Sequence, residues 1–172
     1  MTDRGPLAGV TILDLTMNMS GPFATLTLAD QGADVIKVEP PKGDPIRNVG
    51  TAHNGVSAYF ANLNRAKRSV VIDVTTRAGH ALVERLADRS DVVIQNYRHG
   101  VAARLGLDAA SLRAGRPGLI HASINGWGTT GPLADNPAYD HTYTVFAQIL
   151  NGLDLVDRIL EGDVIERIEI LP

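Results

Sequence analysis

Cysteine is absent from the 172 residues. That excludes a disulfide framework, a thiolate nucleophile and any zinc site built on sulfur, and it makes a cytoplasmic compartment the expected one. Long hydrophobic runs are missing too. No stretch approaches the roughly 18 apolar residues of a membrane span, and MTDRGPLAGV is no signal peptide, so no membrane is expected among the partners. Charge of one sign is not in excess either. A net charge of −3 argues against general affinity for nucleic acid.

What is present is globular: 44% hydrophobic and 20% charged residues, in a length that fits one domain with at most an appendage. The charge is unevenly spread. Residues 1–140 carry 14 Lys/Arg against 13 Asp/Glu, residues 141–172 only 2 against 6. The boundary separates two differently built parts, expected as domains 1–140 and 141–172.

Five short segments rich in Val, Ile and Leu recur in the first part: VTILDL at 10–15, DVIKVE at 34–39, SVVIDV at 69–74, DVVIQN at 91–96 and LIHASI at 119–124. Such runs read as strands buried on both faces of a parallel sheet. Helical segments separate them. Ser20-Gly21-Pro22 opens one that Gly32 closes, Thr76 caps another over 77–88, and short helices start near Gly100 and Asp108. The alternation predicts an α/β, Rossmann-like, mostly parallel sheet of about five strands with flanking helices. The Gly-, Pro- and Asn-rich stretch from Pro40 to Asn64 reads as a surface excursion with functional potential. After Asp140, a strand at 143–149, a short helix at 152–160 and an alternating strand at 164–171 predict a small β-α-β tail of antiparallel character.

Several motifs carry chemistry with competing readings. Gly126-Trp127-Gly128-Thr129-Thr130-Gly131 matches a dinucleotide fingerprint in spacing, but prolines follow where a helix must begin, so a tight glycine loop is expected. The turn Thr16–Pro22 lies beyond the carboxyl end of the first strand, where open α/β sheets place ligands. It reads either as an anion site or as an ordinary turn with a Ser cap. Asn64–Ser69 gathers Arg65, Lys67 and Arg68, as a solvated charge cluster or as a phosphate anchor. Asn96-Tyr97-Arg98 follows the fourth strand, again at a carboxyl end. The five histidines show no metal-ligand spacing, no Gly-x-Ser-x-Gly elbow occurs, and Asp14, Asp73 and Asp140 end strands or loops without visible partners. No metal is expected.

Taken together, GPLAGVTILDLT at 5–16, SGPFATLTLADQGADVIKVEPPKGDPIR at 20–47, NRAKRSVVIDV at 64–74, DVVIQNYRHGVAARLGLD at 91–108 and INGWGTTGPLADNPAYD at 124–140 resemble the family III CoA-transferases and acyl-CoA racemases. The resemblance implies a large domain that binds coenzyme A or an acyl-CoA and, in a complete enzyme, transfer of CoA to a carboxylic acid. It also implies a possible homodimer. Carried over by position, Asn18, Met19 and Ser20 lie along the pantetheine arm. Ile72, Asp73, Val74 and Thr75 flank the nucleotide, and Asn96, Tyr97, Arg98 and Arg104 reach its phosphate end. A family Arg falls at Pro40, leaving Lys42 as the nearest substitute, and a family His falls at Tyr139. The nucleophilic Asp has no counterpart. Asp140 is the one weak catalytic candidate, with Asp163 a poorer surrogate.

Residues 141–171 resemble instead the C-terminus of bacterial-type cyclophilins, with Tyr143 at a pocket-edge position. The resemblance supplies neither the isomerase Arg nor most of its pocket. The chain therefore reads as a chimera, and a non-catalytic structural or interaction module is the competing expectation.

Overall fold

A computed structural model describes residues 5–136; Asp140, Tyr143, Asp163 and the expected β-α-β tail lie outside the described residues. The chain runs β1 (Thr11–Asp14), α1 (Ser20–Asp30), β2 (Asp34–Glu39), a 3-10 turn (Pro45–Asn48), β3 (Ala52–His53), β4 (Val56–Ser57), α2 (Ala58–Asn64) and β5 (Arg68–Val71). It continues through α3 (Arg77–Ala87), β6 (Val92–Gln95), α4 (Val101–Arg104), α5 (Ala109–Arg113) and β7 (Ile120–Ser123). Five strands form one parallel sheet in the order β5-β2-β1-β6-β7, and β3 and β4 make a separate antiparallel hairpin.

The period of two along each strand builds two cores from one sheet. Leu13 and Val93 point to one face and pack with Val83 and Ala87 of α3 and Leu112 of α5. Their neighbours Ile12 and Ile94 point to the other face and pack with Val35, Leu28 and Ala29. Ile12, Leu13 and Val93 are essentially inaccessible to solvent, and each such side chain contributes about 1.5–3 kcal/mol of hydrophobic stabilisation. Helices therefore cover both faces, as a parallel sheet requires.

Local chemistry sets the helix ends. The Thr76 hydroxyl accepts from Gly79 N at 3.0 Å, so α3 is capped as its sequence predicts, and the Asp108 carboxylate accepts from Ala110 N at 3.3 Å and caps α5, which starts where a short helix is expected. Gly32 at φ +100° ends the α1 segment. The expected Ser cap of α1 is corrected: Ser20 is the first helical residue and Met19 occupies the cap position.

Two further expectations change. β5 and β7 are edge strands, with Val71 63% and Ile120 61% exposed, so burial on both faces holds only for the central strands. The residue types of edge and centre are alike; only the strand order separates them. The Pro40–Asn64 excursion contains a hairpin and α2. Seven residues with one buried side chain, Leu63, carry too little periodicity to be read as a helix. The excursion is nevertheless tied down. Ser57 Oγ donates to Val49 O at 2.6 Å and caps Phe60 N, while the Arg47 guanidinium lies 3.5 Å from the Phe60 ring centre.

Strand order places the site. From β1 the chain builds outward through β2 and β5, then returns to the other side of β1 with β6. The order reverses between β1 and β6, and ligands of open α/β sheets bind beyond the carboxyl ends at such a reversal.

Candidate functional site

A cleft of about 690 Å³ opens there, within the usual range for small-molecule sites. Asn18, Met19 and Ser20 after β1 line it, together with Phe23 of α1. Asn96, Tyr97 and Arg98 after β6 line it as well, and Asn125–Thr129 after β7 close it. Six of the residues that the resemblance assigns to CoA thus meet in one place. Ile72, Asp73, Val74 and Thr75 do not line the cleft. They follow β5 at the same end of the sheet, where Asp73 Oδ1 accepts from Thr75 N at 3.0 Å and from the Thr75 hydroxyl at 2.6 Å. These hydrogen bonds hold the Asp73 carboxyl below its ordinary value. Arg104 is the last residue of α4, exposed and outside the lining.

The turn between β1 and α1 is built by side chains. Thr16 N donates to Asp14 Oδ1 at 2.9 Å, and Thr16 O accepts from Lys37 Nζ at 2.8 Å. Met17 N donates to Asn96 Oδ1 at 2.9 Å, and Met17 O accepts from Asn96 Nδ2 at 2.7 Å. Asn18 N donates to Asp44 Oδ1 at 3.0 Å. Every backbone polar group from Thr16 N to Asn18 N is therefore met by a side chain from elsewhere in the fold or from the end of β1. Asn18 itself sits at φ +65°, a left-handed conformation that Asn tolerates better than most residues. Gly21 is required behind the turn, because a Cβ there would fall 2.3 Å from Thr16 Cβ.

Behind these contacts lies a run of buried charge. Asp14 is inaccessible and accepts from the Thr16 and Thr25 hydroxyls, the latter at 2.7 Å. It also pairs with Lys67 Nζ at 3.2 Å. Lys67 donates further to Pro22 O at 2.9 Å and Asn64 Oδ1 at 3.0 Å. Burial pulls the Lys67 ammonium down to about 8; the Asp14 charge opposes that shift and the neighbouring Lys37 charge adds to it. Lys37 and Asp44, both fully buried, form an ion pair at 2.9 Å. The contact lacks hydrogen-bond geometry, so Asp44 Oδ2 is satisfied by charge alone. Burial tends to raise Glu39, but hydrogen bonds from Arg47, Ser69 and Asp44 N–H prevail and bring it to about 2.

The Asn64–Ser69 cluster divides: its two arginines are the solvated charges expected, and its lysine is not. Lys67 points inward to Asp14, while Arg65 and Arg68 pair with Asp30 and Asp34 on the surface. Lys37, Asp44, Glu39 and Arg47 were not legible as site residues. The one available signal was charge inside DVIKVE, a segment otherwise reading as fully buried, where Lys and Glu require partners. Tyr97 packs against the core, and its burial, with the Asp14 charge behind it, raises its phenol above the ordinary value. Arg98 is exposed at the cleft, and no carboxylate among the described residues pairs with it. No cluster of His, Asp or Glu suited to a metal ion occurs among the described residues.

A doubly wound parallel sheet with a cleft at the reversal of strand order defines the class of open α/β folds, whose ligand sites lie at such a reversal. The sequence pattern of CoA-transferase family III matches residues 7–152, and the chain belongs to that family. A succinate–glutarate CoA-transferase of Agrobacterium fabrum is 44% identical over 153 residues, covering 82% of this chain and 38% of that protein. An acetyl-CoA:oxalate CoA-transferase of Acetobacter aceti is 38% identical over 160 residues, covering 92% of this chain and 40% of that one. Among solved structures, a CAIB/BAIF family protein from Brucella suis superposes with a TM-score of 0.75 at 44% identity, over 80% of this chain and 38% of that chain. The chain spans about two-fifths of the length of these relatives.

Proposed function

We propose that residues 5–136 form the CoA-binding wall of a family III transferase, and that the cleft between β1 and β6 receives an acyl-CoA. The observation that carries the reading is the exposed Arg98, unpaired among the described residues, in a cleft at the reversal point beside a turn whose backbone is held in place. An exposed guanidinium is suited to a phosphate, and the apolar Phe23 and Met19 suit the thioester arm. Ile72–Thr75 follow β5, three strand spacings from β6 in the order β6-β1-β2-β5. That is about 14 Å across the carboxyl ends, a span that an extended nucleotide thioester covers and a compact ligand does not.

In a complete transferase, a carboxylate attacks the acyl-CoA carbonyl while amides hold the developing oxyanion. Asp14 does not serve, being buried and committed to Lys67, Thr16 and Thr25. Asp140 and Asp163 lie outside the described residues. What is proposed for residues 5–136 is CoA binding, not turnover.

Titration calorimetry with CoA on the folded chain tests the binding. Arg98→Ala is expected to weaken it by about 1–3 kcal/mol, and no heat at millimolar CoA would refute the reading. Incubation with an acyl-CoA and then hydroxylamine tests the chemistry. A hydroxamate on Asp140 or Asp163, lost in the Asp→Ala variant, would show turnover chemistry after all. The exposed edges β5 and β7 favour a second reading, in which the alternating segment VIERIEIL at 164–171 pairs with an edge or with another chain. Unchanged melting and oligomeric state on deleting 141–172 would remove it.

A further inference from the structure

We infer that Asn96 and Asp44 are positioning residues, which fix the peptides of Met17 and Asn18 so that the β1–α1 turn presents a preformed wall to the ligand. The inference rests on the CoA-binding reading and assigns Asn96 a different part in it, since its side chain is spent on the protein and not on the phosphate end of the ligand.

The geometry is that of a clip. The Asn96 amide meets both the N–H and the C=O of Met17, at 2.9 and 2.7 Å, across 79 residues of sequence. An amide is the one small side chain that matches a peptide's donor and acceptor together. It thereby replaces the ladder bond that the chain loses on leaving β1. Asp44 holds the next peptide. Its Oδ1 accepts from Asn18 N and from Ile46 N at 3.1 Å, so one oxygen joins the turn to the 3-10 segment. Lys37 fixes that carboxylate through their ion pair and also binds Thr16 O. Asn18 is held between the two braces at φ +65°, and Asn18, Met19 and Ser20 line the cleft. Releasing either brace lets the turn relax, and the wall is no longer formed in advance.

Two readouts on the full 172-residue chain test this: amide hydrogen exchange at Met17, with Leu15 as internal control, and CoA affinity by calorimetry. Leu15 N donates to Ile94 O and is independent of the clip. Asn96→Ala is expected to speed Met17 exchange at least tenfold, leave Leu15 unchanged and weaken CoA binding on the order of tenfold. Asn96→Asp keeps an acceptor for Met17 N but sets an anionic oxygen against Met17 O. It is expected to weaken binding at neutral pH and to recover as the new carboxyl is protonated and donates again, and it serves equally if the alanine variant does not fold. Asp44→Asn, which keeps an acceptor for Asn18 N, is expected to weaken binding less than Asp44→Ala. Weakened binding with unchanged Met17 exchange would overturn the inference in favour of direct ligand contact. Faster exchange with unchanged affinity would overturn it in favour of a purely structural clip. Absence of CoA binding by the unmodified chain would refute the binding reading itself, while the exchange measurement still shows whether the clip exists.

Discussion

The two walls of the cleft are built on opposite plans. The β1–α1 turn takes its hydrogen bonds from Asp14, Lys37, Asp44 and Asn96, three of them buried charges. The facing loop after β7 has short-range turn bonds, from Ala134 N to Gly131 O and from Asn136 N to Leu133 O, and its residues are largely exposed. One wall is fixed by side chains from across the fold, and residues 131–136 of the other carry local turn bonds. A ligand cleft with one fixed wall can prepay part of the ordering cost of binding, leaving the other wall to adapt.

The strongest way to break the contrast is to strand a charge behind the fixed wall. Lys67→Ala leaves Asp14 buried without its counter-ion and is expected to cost about 3–5 kcal/mol of stability, read by denaturant unfolding. The neighbouring Arg68→Ala, which removes an exposed pair with Asp34, should cost no more than about 1 kcal/mol. Equal effects would mean that Lys67 is not the buried group described.

Gly21→Ala comes next. The added methyl collides with Thr16 behind the turn, and overpacking of this kind costs about 1–3 kcal/mol; thermal melting measures it. Glu39→Gln sharpens the comparison through pH. The folded Glu39 lies near 2 against 4.5 for the free group, so its contribution is fully present above 4.5 and is lost as pH falls from 4.5 towards 2. The stability gap between wild type and variant is expected to close across that window; a gap independent of pH would contradict the assignment. On the adaptable wall, Thr129→Ala and Leu133→Ala are expected to change stability by no more than about 0.5 kcal/mol.

The same division decides what could be read from sequence. Five strand segments announced themselves, and DVIKVE coincides with β2 from Asp34 to Glu39, because apolar β-branched runs are local signals. Thr76 announced its helix through capping chemistry, and a short helix was expected to start near Asp108. The cleft residues after β1 and β6 were legible because the chain leaves a strand at each. The braces were not. Asp44 in KGDP looks like a turn residue, and Lys67 looks like one cation among three. Only the folding of residues 14, 37, 44 and 67 into one buried run, up to 53 positions apart, gives them their roles. Short α2 escaped because two Asn and a single buried Leu63 leave no periodicity to detect.

Native-state amide exchange on the unliganded chain tests the central claim most directly, since it reports on both walls in one experiment. Met17 and Asn18 N–H are expected to exchange at rates close to those of the sheet amides, and Ala134 and Asn136 N–H at least a hundredfold faster, as for local and global opening. Similar fast exchange at all four amides would mean that the buried charges do not hold the turn, and the account of a preformed wall would be wrong.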